Sequence, residues 1–467
     1  MLFSSMSFIW IFLPLVLTSN LILHKFRGNK ASNILLLIAS IFFYAWGEPI
    51  YVLLMMISIF VNWMAGIIVS KVHKYKILVL FGTVIINLAL IGYFKYSGMI
   101  VTSLNAIFGT SFVVPDIALP IGISFFTFQE LSYVIDVYRQ ECEPQKNILK
   151  VALYVSFFPQ LIAGPIVKYK DIEKQIDVRT VSTQQIAEGI RRFAYGFAKK
   201  ILIANTLASA VDSIYSLGIS NVTWSMAWLA SLMYTFQIYY DFSGYSDMAI
   251  GLGKMFGFEF KENFNYPYTS FSIREFWRRW HISLSSWFRD YVYIPLGGSR
   301  EGTRLTYRNL LIVFFLTGLW HGAGWSFVFW GLYNGIFIVI ERLGLGVFLD
   351  RHKYFSWIYA FLIVNFGWVF FRIDNIKVSF EYIKCMLMPW THTKSTYALQ
   401  EFINPHTMVV FFIAIAGMGI IQRLMPKNIT NKWKYSVIEI IYCTIIMFIS
   451  LASIASNTYN PFIYFRF

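Results

Sequence analysis

The amino-acid sequence predicts an all-α, polytopic membrane protein with about ten to twelve transmembrane or re-entrant helices. Three observations carry this. Of 467 residues, 57% are hydrophobic and only 13% charged, against about 25% charged in soluble domains. Apolar runs of spanning length recur along the whole chain. The excess of positive charge, +15 at pH 7, collects in short segments between those runs, where it meets headgroups and sets topology. A soluble chain this basic would suggest nucleic acid; this placement argues for membrane lipids and against nucleic acid.

In order, the runs are 6–23, 32–47, 49–70, 76–98, 120–138, 148–167, 223–240, 309–340, 355–371, 408–424 and 434–456. The opening run has no basic flank and no small-residue cleavage site, so it reads as the first membrane helix and not a signal peptide. Lys25, Arg27 and Lys30 follow run one, Lys71, Lys74 and Lys76 run three, and Arg139, Lys146 and Lys150 run five. This bias places the N-terminus outside the cytoplasm. Pro159, Gly164 and Pro165 make a straight helix doubtful across 157–175, where a re-entrant segment is expected. In 188–211, Arg191, Arg192, Lys199 and Lys200 alternate with apolar residues, the pattern of a helix lying at the cytoplasmic interface. The run 309–340 is read as two helices broken near Gly322 and Gly324. No long linker, repeat or low-complexity tract divides the chain, so it reads as one integral membrane domain over 1–467 with its motif core at about 120–340.

Several chemistries are excluded. The chain lacks G-x-x-x-x-G-K-[ST], H-E-x-x-H and H-x-x-x-x-D. Cys142, Cys385 and Cys443 are far apart and form no C-x-x-C, so neither a metal site nor a redox pair is expected. "FSGYS" lacks the G-x-S-x-G of a nucleophile elbow, which discounts Ser243.

Three segments place polar groups among apolar ones. "QIYYDFSGYSDMAIGLG" (237–253) holds Asp241 and Asp247. Each either pairs with an arginine of the next segment or orients an imidazole. "SIREFWRRWHISLSSWFRDYVYIPLGG" (272–298) holds Arg274, Glu275, Arg278, Arg279 and His281 among seven large aromatics. Helical spacing would put Arg274, Arg278 and His281 on one face as a basic wall, and would pair Glu275 with Arg279. The third, "FFLTGLWHGAGWSFVFW" (314–330), surrounds His321 with Gly318, Gly322, Gly324, Trp320 and Trp325. No Asp, Glu, Lys or Arg occurs in the 32 residues between Arg308 and Glu341, so His321 lies roughly 20 Å of helix from the nearest charge. A histidine there either satisfies a core or works in a water-poor channel open to two compartments, where burial would hold it neutral as a base. The glycines make room for a substrate or let helices pack closely.

Taken together, "PIGISFFTFQELSYVIDVYR" (120–139), "FFPQLIAGPIVKY" (157–169), "YYDFSGYSDMAIGLGKMFGF" (239–258), "NYPYTSFSIREFWRRWHISLSSWFRDYVYIPLGG" (265–298) and "GLWHGAGW" (318–325) resemble the membrane-bound O-acyltransferase family. Within it they resemble the bacterial polysaccharide O-acetylation branch, typified by the alginate O-acetyltransferase membrane component. The resemblance implies a ring of tilted helices around a central funnel. It implies an acyl thioester donor such as acetyl-CoA on the cytoplasmic side, with no metal, and an acceptor from the other side. The hallmark histidine in its W-H-G setting corresponds to His321, and the second polar position to His281. The branch implies a bacterial cytoplasmic membrane, a polysaccharide acceptor and a separate extracytoplasmic acetyltransferase partner; the loops at 99–119 and 388–405 are candidate docking sites for it. On this reading His321 takes the acceptor proton, Asp241 or Asp247 steadies the imidazolium, and His281 with Arg274 and Arg278 holds the donor or polarises its carbonyl. Trp320 supplies rigid surface. Two rivals stand beside it: transfer of D-alanine to teichoic acid, and an acyl-group transporter that makes no ester.

Overall fold

The computed structural model describes residues 1–72, 74–391, 395–419, 437–456 and 459–463. Parts of the expected runs 408–424 and 434–456, of the loop 388–405 and of the terminal "NPFIYFRF" lie outside the described residues. Among the described residues the regular structure is helical throughout. The chain divides into two compact units: Met1–Phe193 with Tyr245–Lys261, and Ala194–Gly244 with Glu262–Phe467.

The first unit begins with α1 (Phe8–Ala45), which joins the first two expected runs. Gly28 interrupts it at φ +70, a conformation that a Cβ disfavours. α2 (Tyr51–Lys71) and α3 (Lys76–Phe108) follow, both long and apolar enough to cross a membrane. α4 (Ile123–Tyr138) packs on α2, where the Tyr133 ring lies over Gly66; a Cβ there would come within 2.6 Å of it. This helix is almost entirely buried and carries Thr127, Gln129, Glu130, Ser132 and Asp136 inward. Ser58 and Asn62 of α2 donate to Glu130 Oε2 at 2.5 and 3.0 Å. α5 (Ile148–Ser156) stops where Phe157 turns to ψ 111 ahead of Pro159, and one turn, Phe158–Leu161, follows. Of the expected irregular segment 157–175, residues 162–168 form no helix, whereas Tyr169–Asp177 is helical; the irregular part is buried by protein, the condition under which apolar surroundings tolerate non-helical backbone. α6 (Tyr169–Asp177) then leads to α7 (Thr183–Ala198).

In the second unit a π-helical turn, Lys199–Ala204, precedes α8 (Asn205–Tyr215). α9 (Trp224–Met255) runs through Gly244 in this unit and from Tyr245 in the other. Two short helices follow, α10 (Ile273–Arg279) and α11 (Ile282–Phe288). Then come α12 (Thr303–His321), α13 (Trp325–Ile340), α14 (Lys353–Arg372), α15 (Ile376–Leu387), α16 (Pro405–Gly417) and α17 (Val437–Ser456). The core of this unit is aromatic: Phe276, Trp277 and Trp280 pack with Trp330, Trp368 and Phe371.

Six helices among the described residues are long and apolar enough to span a membrane, fewer than the ten to twelve runs expected. The difference has identifiable causes: α1 joins two of the runs, run 408–424 is only partly described, α4 has 16 residues, α9 carries buried polar and charged residues, α5 is broken, and Arg304 and Arg308 stand in the first turns of α12. Of the four basic residues expected at the interface in 188–211, Lys200 is buried at 2% exposure, whereas Arg191, Arg192 and Lys199 are partly exposed.

Candidate active site

His321 is the last residue of α12. The chain leaves the helix in extended form at Gly322 and re-enters helix after Gly324, so the expected break occurs at the expected glycines. α12 and α13 then pack almost backbone to backbone. A Cβ on Gly331 would come 2.2 Å from the Phe314 carbonyl, and one on Gly318 would come 2.4 Å from the Phe327 carbonyl. Close helix packing, one of the two roles expected for the local glycines, accounts for Gly318.

The imidazole of His321 is 4% exposed. Trp320, Trp330 and Phe371 meet it edge-on, with ring centroids at 4.9, 5.0 and 5.3 Å. It lines a small cavity with Ile238, Phe242, Trp280, Trp368, Phe371 and Ile463. The free space beside it suits about one water molecule. Beside the imidazole, in place of the water-poor channel open to two compartments expected from the sequence, the described residues form a small cavity lined largely by aromatic side chains.

His281 is the residue between α10 and α11. It adopts φ +46, ψ +55, a left-handed conformation uncommon outside glycine but tolerated by histidine. α10 has already ended at Arg279. The single face expected for Arg274, Arg278 and His281 therefore does not exist: both arginines are exposed, whereas His281 is fully buried. Glu275 does pair with Arg279, at 2.7 Å. α10 is capped by Ser272 Oγ, which accepts from the Glu275 N–H at 3.0 Å, and by Glu341, which accepts from the Ile273 N–H at 2.6 Å.

Asn263, which the sequence analysis missed, organises the turn around His281. Its Oδ1 accepts from the Ser283 N–H at 3.1 Å and from Ser283 Oγ at 2.9 Å. Because that oxygen is an acceptor, the His281 Nδ1 lying 3.1 Å away is the donor. His281 Nε2 then carries the lone pair. Neutral His281 is an acceptor at Nε2, so it does not polarise a carbonyl there, as the sequence reading allowed. Burial pushes this imidazole down to about 3, which keeps it uncharged. The two imidazoles share neighbours: the Trp320 ring lies 5.9 Å from His281 and 4.9 Å from His321, and Phe242 lies 4.7 Å from His281 while lining the His321 cavity.

The carboxylates are engaged by residues the sequence reading named but did not pair with them. Asp241 Oδ1 pairs with Lys200 at 2.6 Å, and its Oδ2 accepts from the Ile463 N–H at 2.8 Å. Asp247 belongs to the first unit, where Arg192 binds it at 2.5 Å. Ion pairing was the structural alternative for both, but the partners come from 188–211 and not from 272–298. Among the described residues no group of three His, Cys, Asp or Glu is placed to hold a metal ion.

Residues 144–380 match the model of MBOAT, the membrane-bound O-acyltransferase family. The chain is 40% identical to the probable alginate O-acetylase AlgI of Pseudomonas putida, over the full length of both. It is 44% identical to the probable alginate O-acetylase AlgI of Pseudomonas aeruginosa, covering 92% of this chain and 85% of that one. It is 34% identical to the peptidoglycan O-acetyltransferase of Helicobacter pylori, covering 100% of this chain and 98% of that one. The matched region contains both histidines and the apolar helices are those of a multi-pass membrane protein: the chain belongs to the membrane-bound O-acyltransferase family and is an O-acyltransferase.

Proposed function

We propose that this protein transfers an acetyl group from a cytoplasmic thioester, such as acetyl-CoA, toward hydroxyls of an extracytoplasmic polysaccharide, from the cytoplasmic membrane of a bacterium. A separate extracytoplasmic protein completes delivery to the glycan. The observation that carries the reading is His321 itself: a buried imidazole at a helix end, facing a cavity, in a chain similar along its length to O-acetylases of alginate and peptidoglycan.

The chemistry balances without ATP, because a thioester is already activated. The acceptor oxygen attacks the carbonyl carbon as His321 takes its proton, and the carbon–sulfur bond breaks as the tetrahedral intermediate collapses. The imidazolium then returns that proton to the departing thiolate. A carboxylate partner is not required. His321 closes α12, and a helix C-terminus stabilises a nearby positive charge by about 0.3–1 kcal/mol, more where it is partly buried. His281 acts one ring away from the cavity, through Trp320 and Phe242, as a positioning residue. Substrate entry requires displacement of the aromatic side chains that narrow the cavity.

The test uses purified protein in lipid with acetyl-CoA or a D-alanyl carrier protein as donor, and mass spectrometry of the acceptor. New acetyl ester with wild type and none with His321→Ala, at equal membrane abundance, supports the reading. Aminoacyl ester instead, or substrate movement with no ester formed, overturns it.

A further inference from the structure

The last described residues of the chain, 459–463, lie beside the His321 cavity and are tied down at nearly every position. Tyr459 OH donates to Asp212 Oδ2, and Asn205 Nδ2 donates to Asn460 Oδ1 at 3.1 Å. Lys200 Nζ donates to the Pro461 carbonyl and sits 5.6 Å from the Phe462 ring centroid. Asp241 Oδ2 accepts the Ile463 N–H at 2.8 Å. The Ile463 side chain is part of the cavity wall.

What holds this segment is a buried ion pair. Lys200 and Asp241 have side chains only 3% and 2% exposed and meet at 2.6 Å. Two local features bring them together. Lys200 lies in the π-helical turn Lys199–Ala204, a distortion often found at functional sites. One turn beyond Asp241, a Cβ on Gly244 would come 2.7 Å from the Gly196 carbonyl and 3.1 Å from the Lys200 nitrogen, so the two helices touch along their backbones. The pair is neutral as a unit, but its outer valences are opposite in kind. The ammonium serves a carbonyl of the segment and the carboxylate serves an N–H, two residues apart. Such a pair reads the polarity of the backbone it holds.

We propose that Lys200 and Asp241 are positioning residues that clamp 459–463 as a strap, and that Ile463 on the strap limits the size of acyl group accepted beside His321. The inference rests on the acyl-transfer reading above. The strap places a branched side chain against a space of about one water molecule, so an acetyl group is favoured over longer chains and removal of that side chain relaxes the limit.

Acetyl-, propionyl- and butyryl-CoA are offered to wild type, Ile463→Val and Ile463→Ala in lipid. The butyryl-to-acetyl ratio should rise by tenfold or more in Ile463→Ala, with Ile463→Val intermediate. The exchanged pair Lys200→Asp with Asp241→Lys keeps the buried charges matched but turns a donor toward the Ile463 N–H and an acceptor toward the Pro461 carbonyl. It should release the strap: Ile463→Cys should react with a maleimide at least tenfold faster in that background than in the native one. Unchanged acyl preference in Ile463→Ala at native abundance, or equal labelling in the two backgrounds, overturns the proposal. If the exchanged pair does not accumulate, the Ile463 series decides. If wild type transfers no acyl group from any thioester, the acyl-transfer reading fails, and labelling alone decides whether the clamp exists.

Discussion

Replacing Asn263 tests whether the state of His281 is built by its neighbours. Asn263 Oδ1 receives the Ser283 N–H, Ser283 Oγ and His281 Nδ1, at 3.1, 2.9 and 3.1 Å, in a buried site. Asn263→Ala removes the acceptor and strands two N–H donors; the Ser283 hydroxyl can rotate. An unmet buried donor costs about 1–3 kcal/mol, and water entering the vacated space recovers part of this, so the expected loss of stability is about 2–4 kcal/mol. A second effect is chemical. With the acceptor gone, His281 can shift its proton to Nε2 and accept from Ser283 Oγ, now 3.4 Å from Nδ1, which turns Nε2 from an acceptor into a donor. Turnover per folded molecule should fall tenfold or more, beyond the loss in abundance. The assay is ester formation normalised to the monodisperse fraction in detergent, together with thermal unfolding. Asn263→Asp sharpens the test. It keeps an acceptor but sets a carboxylate against an imidazole that burial now holds near 3, so the imidazole value rises. Once raised, His281 gains a proton as pH falls through the new value and loses its acceptor nitrogen. Asn263→Asp should therefore match wild type near pH 8 and fall away from it toward pH 5, where the wild-type residue does not titrate. Native turnover per folded Asn263→Ala molecule, or parallel pH profiles for Asn263→Asp and wild type, would refute the reasoning.

The buried neutral state of His281 has a stability signature of its own. In the unfolded chain it titrates near 6.5 and in the folded one near 3. The unfolded state thus binds the proton first, and the stabilisation is complete above about pH 6.5 and erodes as pH falls toward 3. Unfolding temperatures of wild type should drop across that window more steeply than those of His281→Asn. Helix contact offers another check: Gly331→Ala places a methyl 2.2 Å from the Phe314 carbonyl and forces α12 and α13 apart, with an expected loss of about 1–3 kcal/mol or more. Gly324→Ala is the comparator, since its Cβ would sit 3.5 Å from Phe327 and its backbone is already extended. Equal unfolding temperatures for these two variants would contradict the packing argument.

What the sequence made legible was chiefly local. Composition and run length identify the membrane helices because hydrocarbon thickness imposes a length on every apolar segment. The break at Gly322–Gly324 is legible because glycines and a lone histidine interrupt an otherwise continuous run. The family motifs single out His321 and His281. Periodicity misled at His281: the i, i+4, i+7 pattern assumes unbroken helix, and nothing in "RRWHIS" announces a left-handed residue. Long-range partners were illegible for a different reason. Asp241 answers to Lys200 and to Ile463, the latter 222 residues away, and Asn263 reaches His281 across 18. A carboxylate within an apolar stretch declares that it needs a cation; it does not say which one.

The pairing of Asp241 with Lys200 also changes what the catalytic argument requires. A base in a water-poor site must leave its charged form stabilised when it takes a proton, and the sequence reading gave that duty to a carboxylate. The carboxylate of this unit's α9 is instead already neutralised by Lys200 and holds a backbone N–H. The end of α12 supplies an alternative that is independent of any acidic side chain. The last turn of a helix leaves carbonyl oxygens without intrahelical donors, and here the chain departs into extended backbone directly after His321. Those oxygens point along the helix axis toward its C-terminus, which is the negative pole of the helix, and His321 lies in its last turn. Trp320, Trp330 and Phe371 crowd the ring and leave room for about one water molecule beside it, an apolar surround that strengthens that field where it acts. The break at Gly322 therefore has two consequences: it lets α13 fold back against α12, and it ends α12 at His321, where the helix end would stabilise the positive charge that the proposed mechanism develops.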